Sequence, residues 1–134
     1  MKALKLAALA AAIAAGAPAL AQQDYPNKPV RWINPFPAGG ATDTLSRLFC
    51  AKMAELTNQQ WLVENKGGSG GNVGMEVVAQ AAPDGHTLLM SYAGSHAINP
   101  ALYKKLPFDP VKDFSTIALL GSAPLTTVVQ KMGN

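Results

Sequence analysis

Three glycine-bearing stretches carry most of the chemistry this chain offers: Pro35-Phe36-Pro37-Ala38-Gly39-Gly40-Ala41-Thr42-Asp43, Asn65-Lys66-Gly67-Gly68-Ser69-Gly70-Gly71-Asn72-Val73-Gly74, and Ser91-Tyr92-Ala93-Gly94-Ser95-His96. In the first, the prolines end an apolar run and the Gly-Gly pair lets the backbone turn tightly. Thr42 or Asp43 then supplies an N-cap oxygen for a following helix. The second leads into a helix start in the same way, and the third is rich in hydroxyls. Backbone N–H groups at such turns and helix starts suit a carboxylate or phosphate, held without a cation. The alternative is that the glycines only make tight turns.

Other chemistry fits less well. The histidines are His86 and His96, and no close His pair or cysteine cluster offers the ligands that a metal needs. Ser95, His96 and Asp43 could be drawn as a nucleophilic set. Adjacent residues seldom aim side chains at each other, however, and no G-x-S-x-G elbow is present. A dinucleotide fingerprint fails because the sixth place counted from Gly68 is Val73, and no Gly-Lys-Ser/Thr phosphate loop occurs. Asp43 beside a bound anion would be repulsive by roughly 4 kcal/mol at about 4 Å and an effective dielectric near 20. It is therefore expected to order its own loop, or to face a ligand hydroxyl or amino group.

The elements around these stretches alternate. Val30–Asn34 reads as a strand, and Leu45, Leu48, Phe49, Met53 and Leu56 form a helical stripe. Gln60–Glu64 is a second strand. Val73, Val77, Val78 and Ala81 mark a second helix, ended by Pro83-Asp84-Gly85. His86–Met90 is a third strand. Asn99-Pro100 starts a short helix with asparagine as cap, and Thr116–Leu120 and Leu125–Gln130 read as further strands. Strand, helix, strand, helix, strand with short links predicts an α/β fold with parallel strands and right-handed crossovers. Each glycine-bearing stretch directly follows a strand. Topology alone therefore brings all three to the carboxyl edge of the sheet, where open α/β sheets bind ligands.

The first 21 residues read as a signal peptide: Lys2 and Lys5, an apolar run from Leu6 to Ala17, and Ala19-Leu20-Ala21 before Gln22. Without it, nine Lys/Arg stand against eight Asp/Glu, and the formal charge falls from +3 to +1. No basic patch with interleaved aromatics remains, which argues against nucleic acid. Cys50, the single cysteine, reads as a buried apolar residue, because one thiol has no internal partner.

Tyr25-Pro26-Asn27-Lys28-Pro29-Val30-Arg31, the first two glycine stretches, Ala82-Pro83-Asp84-Gly85-His86-Thr87-Leu88-Leu89, Ala97-Ile98-Asn99-Pro100-Ala101-Leu102-Tyr103 and Leu106–Phe114 together resemble one family. It is the Bug family (Bordetella uptake gene products), the periplasmic receptors of tripartite tricarboxylate transporters. The resemblance spans nearly all of the chain after the signal. It implies the parallel-sheet first lobe of a two-lobed, clamshell periplasmic-binding-protein fold, with no catalysis, no cofactor and no metal. Its implied ligand is a small carboxylate, gripped through backbone amides and ordered water, and its implied partners are membrane transporter subunits. Carried over, the grip falls on Ala38, Gly39, Gly40, Thr42 and Asp43, and on Gly67, Gly68, Ser69, Gly70 and Gly71. Ser91, Gly94, Ser95 and His96 line the same cleft. Lys66-Gly67-Gly68 departs from the family's usual Arg-Pro-Gly, which loosens the loop but keeps its donors. Family members run to about 300 residues, beyond what one core usually serves. The expected layout is thus a signal peptide at 1–21, a first lobe at 22–122, and at 123–134 the start of a crossover to a second lobe that is truncated. A secreted hydrolase-like enzyme using the crevice as an oxyanion site is the alternative.

Overall fold

The computed structural model describes residues 25–122. The expected signal peptide, the strand at Leu125–Gln130 and the crossover at 123–134 lie outside the described residues. A strand β1 (Val30–Asn34) leads to a long helix α1 (Ala41–Thr57), then to strand β2 (Trp61–Asn65). A single 3-10 turn (Ser69–Gly71) opens helix α2 (Asn72–Ala79), which is followed by strand β3 (Thr87–Leu89). A π-helical turn (Gly94–Ile98) runs into the short helix α3 (Asn99–Leu102). The strands form one parallel sheet in the order β2-β1-β3, with Val30 opposite Trp61 and Arg31 opposite Thr87.

The central strand is the most deeply covered, as a parallel strand between two helical layers must be. Val30, Trp32, Ile33 and Asn34 are all buried. Trp32 faces α1, where its indole Nε1 donates to Ser46 Oγ at 2.9 Å and its ring lies 4.8 Å from Phe49. Trp61 joins that cluster at 6.4 Å from Trp32, with its own Nε1 donating to Thr57 Oγ1. Ile33 alternates to the opposite face. The right-handed crossover rule puts α2 there, with its buried Met75. At the amino edge of the sheet, Tyr25 donates to the Gly85 carbonyl and Lys28 pairs with Asp84, pinning the leader beside the turn into β3.

The helix faces differ from the apolar stripes read in the sequence. Leu48 and Leu56 are 67% and 70% exposed, and α1 instead buries Asp43, Ser46 and Cys50. The reason is local: Trp32 needs an acceptor inside, and Asp43 serves the loop before the helix. In α2, Val73 is exposed while Asn72, Gly74 and Met75 face inward, and the helix stops at Ala79, short of Ala81. Gly74 fits because a Cβ there would stand 2.7 Å from Pro35 Cβ. Residues 116–120 form no strand and are exposed. No neighbouring strand among the described residues offers them a hydrogen-bond ladder. The second strand is shifted by one residue from the expected Gln60–Glu64, and the third is shorter than His86–Met90.

Candidate functional site

The three glycine-bearing loops follow β1, β2 and β3, and parallel pairing puts them along one edge of the sheet. They also touch one another. Gly67 lies so close to the first loop that a Cβ would sit 3.6 Å from Pro37. The Gly70 carbonyl accepts from Ser95 Oγ at 3.1 Å and from Asn99 Nδ2 at 3.0 Å, tying the second loop to the third. Phe36 and Tyr92 meet edge to face at 5.7 Å between ring centres, closing the triangle.

The first loop differs from the expectation in its cap. Gly40, not Thr42 or Asp43, is the N-cap of α1, and no side chain caps it. Asp43 stands at the third helical position, and its carboxylate reaches back to the Gly39 N–H at 2.9 Å. This resembles the reciprocal half of a capping box, in which an acid at that position serves the backbone just before the helix. Arg47 Nε at 3.0 Å and Asn65 Nδ2 at 3.0 Å complete the shell around Asp43. These donors, led by Arg47 and Gly39, hold its pKa down to about 2. Asp43 is 4% exposed, so its two oxygens are spent inside the protein and its part is to order the loop. Asn65 also donates to the Phe36 carbonyl, so one amide clamps both sides of the turn.

Several backbone donors around this clamp stay open. Among the described residues, the N–H groups of Ala38, Gly40, Gly67, Gly68, Ser69 and Gly70 make no hydrogen bond within the protein. The first-turn N–H groups of α1 at Ala41, Thr42 and Asp43 have no intrahelical partner either, as at any helix start. Ala38, Gly40, Gly67, Gly68, Ser69 and Gly70 are all solvent-exposed, whereas neighbouring Gly71 is buried. Gly71 has φ +96, and a Cβ there would lie 2.6 Å from Ser95 Oγ. Only glycine fits that position.

The third loop departs furthest from its expected form. The chain is already helical from Gly94, and Asn99 is not a cap but a buried strut. Its amide donates to the Gly70 carbonyl and to Asn72 Oδ1 at 2.7 Å. Ser95 is buried and directed at Gly70, whereas Ser91 is exposed and its Oγ lies 2.7 Å from His96 Nδ1. Ser95, His96 and Asp43 thus each have other partners and form no nucleophilic set. The Ser91–His96 pair escaped sequence reading, because five-residue spacing matches no standard helix period. Burial pushes the His96 pKa down, partly opposed by the Pro110 carbonyl. Among the described residues no cluster of three or more His, Cys, Asp or Glu side chains is arranged to hold a metal.

Two further features went unread in the sequence. A depression of about 180 Å³ beside the second loop is lined by Ser69, Asn72, Tyr103 and Lys105 among others. Asn34, at the carboxyl end of β1 and paired in register with Asn65, is fully buried, with neither amide atom hydrogen-bonded among the described residues. Cys50 is buried and its thiol pKa is pushed up to about 11 by that burial, which leaves it unreactive.

A parallel α/β sheet with amide-rich loops gathered at its carboxyl edge is the arrangement at which open α/β folds bind ligands. The comparisons agree. Residues 45–132 match the tripartite tricarboxylate transporter family receptor, and the chain belongs to that family. A UPF0065 protein of Agrobacterium vitis is 44% identical over 113 residues, covering 84% of this chain and 32% of its own length. Protein BugT of Bordetella pertussis is 33% identical over 105 residues, covering 78% and 32%. Among solved structures, MatC from Rhodopseudomonas palustris with bound malate is 45% identical, with a TM-score of 0.67, and the match covers 72% of this chain and 33% of MatC. An R. palustris protein solved with adipate is 35% identical, with a TM-score of 0.62 over 64% of this chain and 29% of its own. The chain therefore spans about a third of the length of the relatives it matches. The two solved relatives hold malate and adipate, in line with the receptor expectation.

Proposed function

We propose that this chain supplies one wall of the ligand site of a periplasmic solute-binding protein, and that the site takes a small carboxylate for delivery to a tripartite tricarboxylate transporter. The observation that carries the reading is the row of unpaired N–H groups at Ala38, Gly40 and Gly67–Gly70, set beside the open first turn of α1. A carboxylate placed there gains charge-assisted hydrogen bonds and the favourable end of the helix dipole, with no cation required. Asp43 does not repel it, because Arg47 and Asn65 neutralise and hold that side chain. The malate and adipate held by two solved relatives support the ligand class. The periplasmic location rests on the expected signal peptide and on the family, and the transporter partner on the family's description as a receptor.

The test is an NMR titration of the 15N-labelled 134-residue chain with malate and with adipate, up to roughly 10 mM to catch weak binding. Saturable shifts are expected at Ala38–Thr42 and Gly67–Gly71. Shifts that are absent, or that cluster away from these loops, would overturn the assignment.

A further inference from the structure

The pairing of Ser91 with His96 leads beyond ligand class to how the site is controlled. The two side chains meet at 2.7 Å between Oγ and Nδ1 on the rim of the third loop, where Ser91 is exposed. A serine hydroxyl has one hydrogen to donate, and neutral imidazole has one bare nitrogen to receive it. Nδ1 faces Ser91 at hydrogen-bond distance. With Ser91 as the donor, the neutral ring keeps its hydrogen at Nε2 and the Ser91 hydrogen points to Nδ1.

Resting on the carboxylate reading above, we propose that Ser91 and His96 form a protonation-linked donor in the ligand site. With the ring neutral, the Ser91 hydrogen is spent on Nδ1. When the ring takes a proton from solvent, Nδ1–H donates to Ser91 Oγ and the hydroxyl hydrogen is released to a ligand carboxylate. The new positive charge favours the same anion. Ligand capture is then coupled to proton uptake.

Among the described residues, the charged groups near the ring have partners of their own. From the segment packed against it, Phe114 presents an edge at 5.0 Å. Asp109 of that segment accepts the Val111 and Lys112 N–H groups, with Lys112 Nζ at 3.6 Å, and Asp113 accepts the Asp109 N–H. From the loop after β3 come Ser91 and Tyr92, neither charged. Among the described residues no acid or base forms an ion pair with His96. The unliganded ring is held neutral by burial, so an arriving carboxylate has a proton to recruit.

Two measurements on the 134-residue chain test this. The first needs no ligand: the His96 ring 15N shifts at about pH 8 should show the hydrogen on Nε2, with His86 as internal reference. The second is malate affinity between about pH 6 and about pH 8, where malate stays largely ionised. The wild type should bind roughly threefold or more tighter at the lower pH, with a His96 pKa that rises on binding. His96→Asn, which keeps an acceptor near Nδ1 but cannot titrate, should flatten the dependence. Ser91→Ala should shrink it. A hydrogen on Nδ1, pH-independent wild-type binding, or a pH dependence that persists in His96→Asn would overturn the linkage. No malate shift at either pH would overturn the carboxylate reading itself, and the linkage with it.

Discussion

Asn34 is the residue whose environment conflicts most with its chemistry. A buried amide with no hydrogen-bond partner costs about 1–3 kcal/mol, and replacing it by an apolar side chain of similar size removes that cost. Asn34→Val also suits a central parallel strand. It should raise stability by about 1 kcal/mol or more, read as a higher denaturant midpoint at unchanged slope. A lower midpoint would mean that the amide is satisfied by a group not seen in the fold. Gly71 makes the opposite case. Its φ of +96 and the 2.6 Å approach of Ser95 Oγ leave no room for a methyl. Gly71→Ala should cost about 2–4 kcal/mol through strain and loss of the Ser95–Gly70 hydrogen bond, measurable by the same unfolding experiment. The sequence marks Gly71 as one glycine in a run of four but does not say which of them is obligatory. That depends on Ser95, 24 positions away.

At the scale of elements, the β1–α1 unit shows what was legible and what was not. The strand Val30–Asn34 is found as read, because an apolar run ended by proline has few alternatives. The helix was legible, but not its buried face. Hydropathy ranks Leu48 and Leu56 above Ser46, while the fold buries Ser46 as an acceptor for Trp32 and leaves those leucines in water. Periodicity detects apolar stripes and misses polar residues that are inside because a partner needs them. The cap was misread for a related reason. Asp43 has the right chemistry for an N-cap but stands three places into the helix, where it serves Gly39 instead. Loop placement, by contrast, follows from parallel topology alone. The contacts joining the loops involve Asn65, Ser95 and Asn99, pairings that only folding reveals.

For the whole molecule, the two acids shifted furthest among the described residues shape the response to pH. Asp43 and Asp84 both sit near a pKa of about 2, lowered chiefly by Arg47 and by Lys28. A carboxylate whose folded pKa lies below its unfolded value stabilises the protein above the unfolded pKa, near 4. That stabilisation fades as pH falls from about 4 to about 2. Acid unfolding monitored by circular dichroism should therefore fall in this window, and Asp43→Asn should make the loss shallower while lowering stability at neutral pH. The two acids lie at opposite edges of the sheet. Asp43 orders the turn after β1 and Asp84 anchors the leader, so acid between about pH 4 and about pH 2 would loosen both ends of the same sheet.

The sheet stops at β3, which pairs with β1 on one side only among the described residues. Met90 N–H turns inward to Ile33, so the alternation of a strand sends the Thr87 and Leu89 N–H groups outward. That flank is a vacant docking rail for one further strand. Whatever strand lies along it fixes how far β3 can slide, and β3 ends at Leu89, two residues before Ser91. A guest strand on this rail would therefore set the aim of the third glycine-bearing loop without touching its residues.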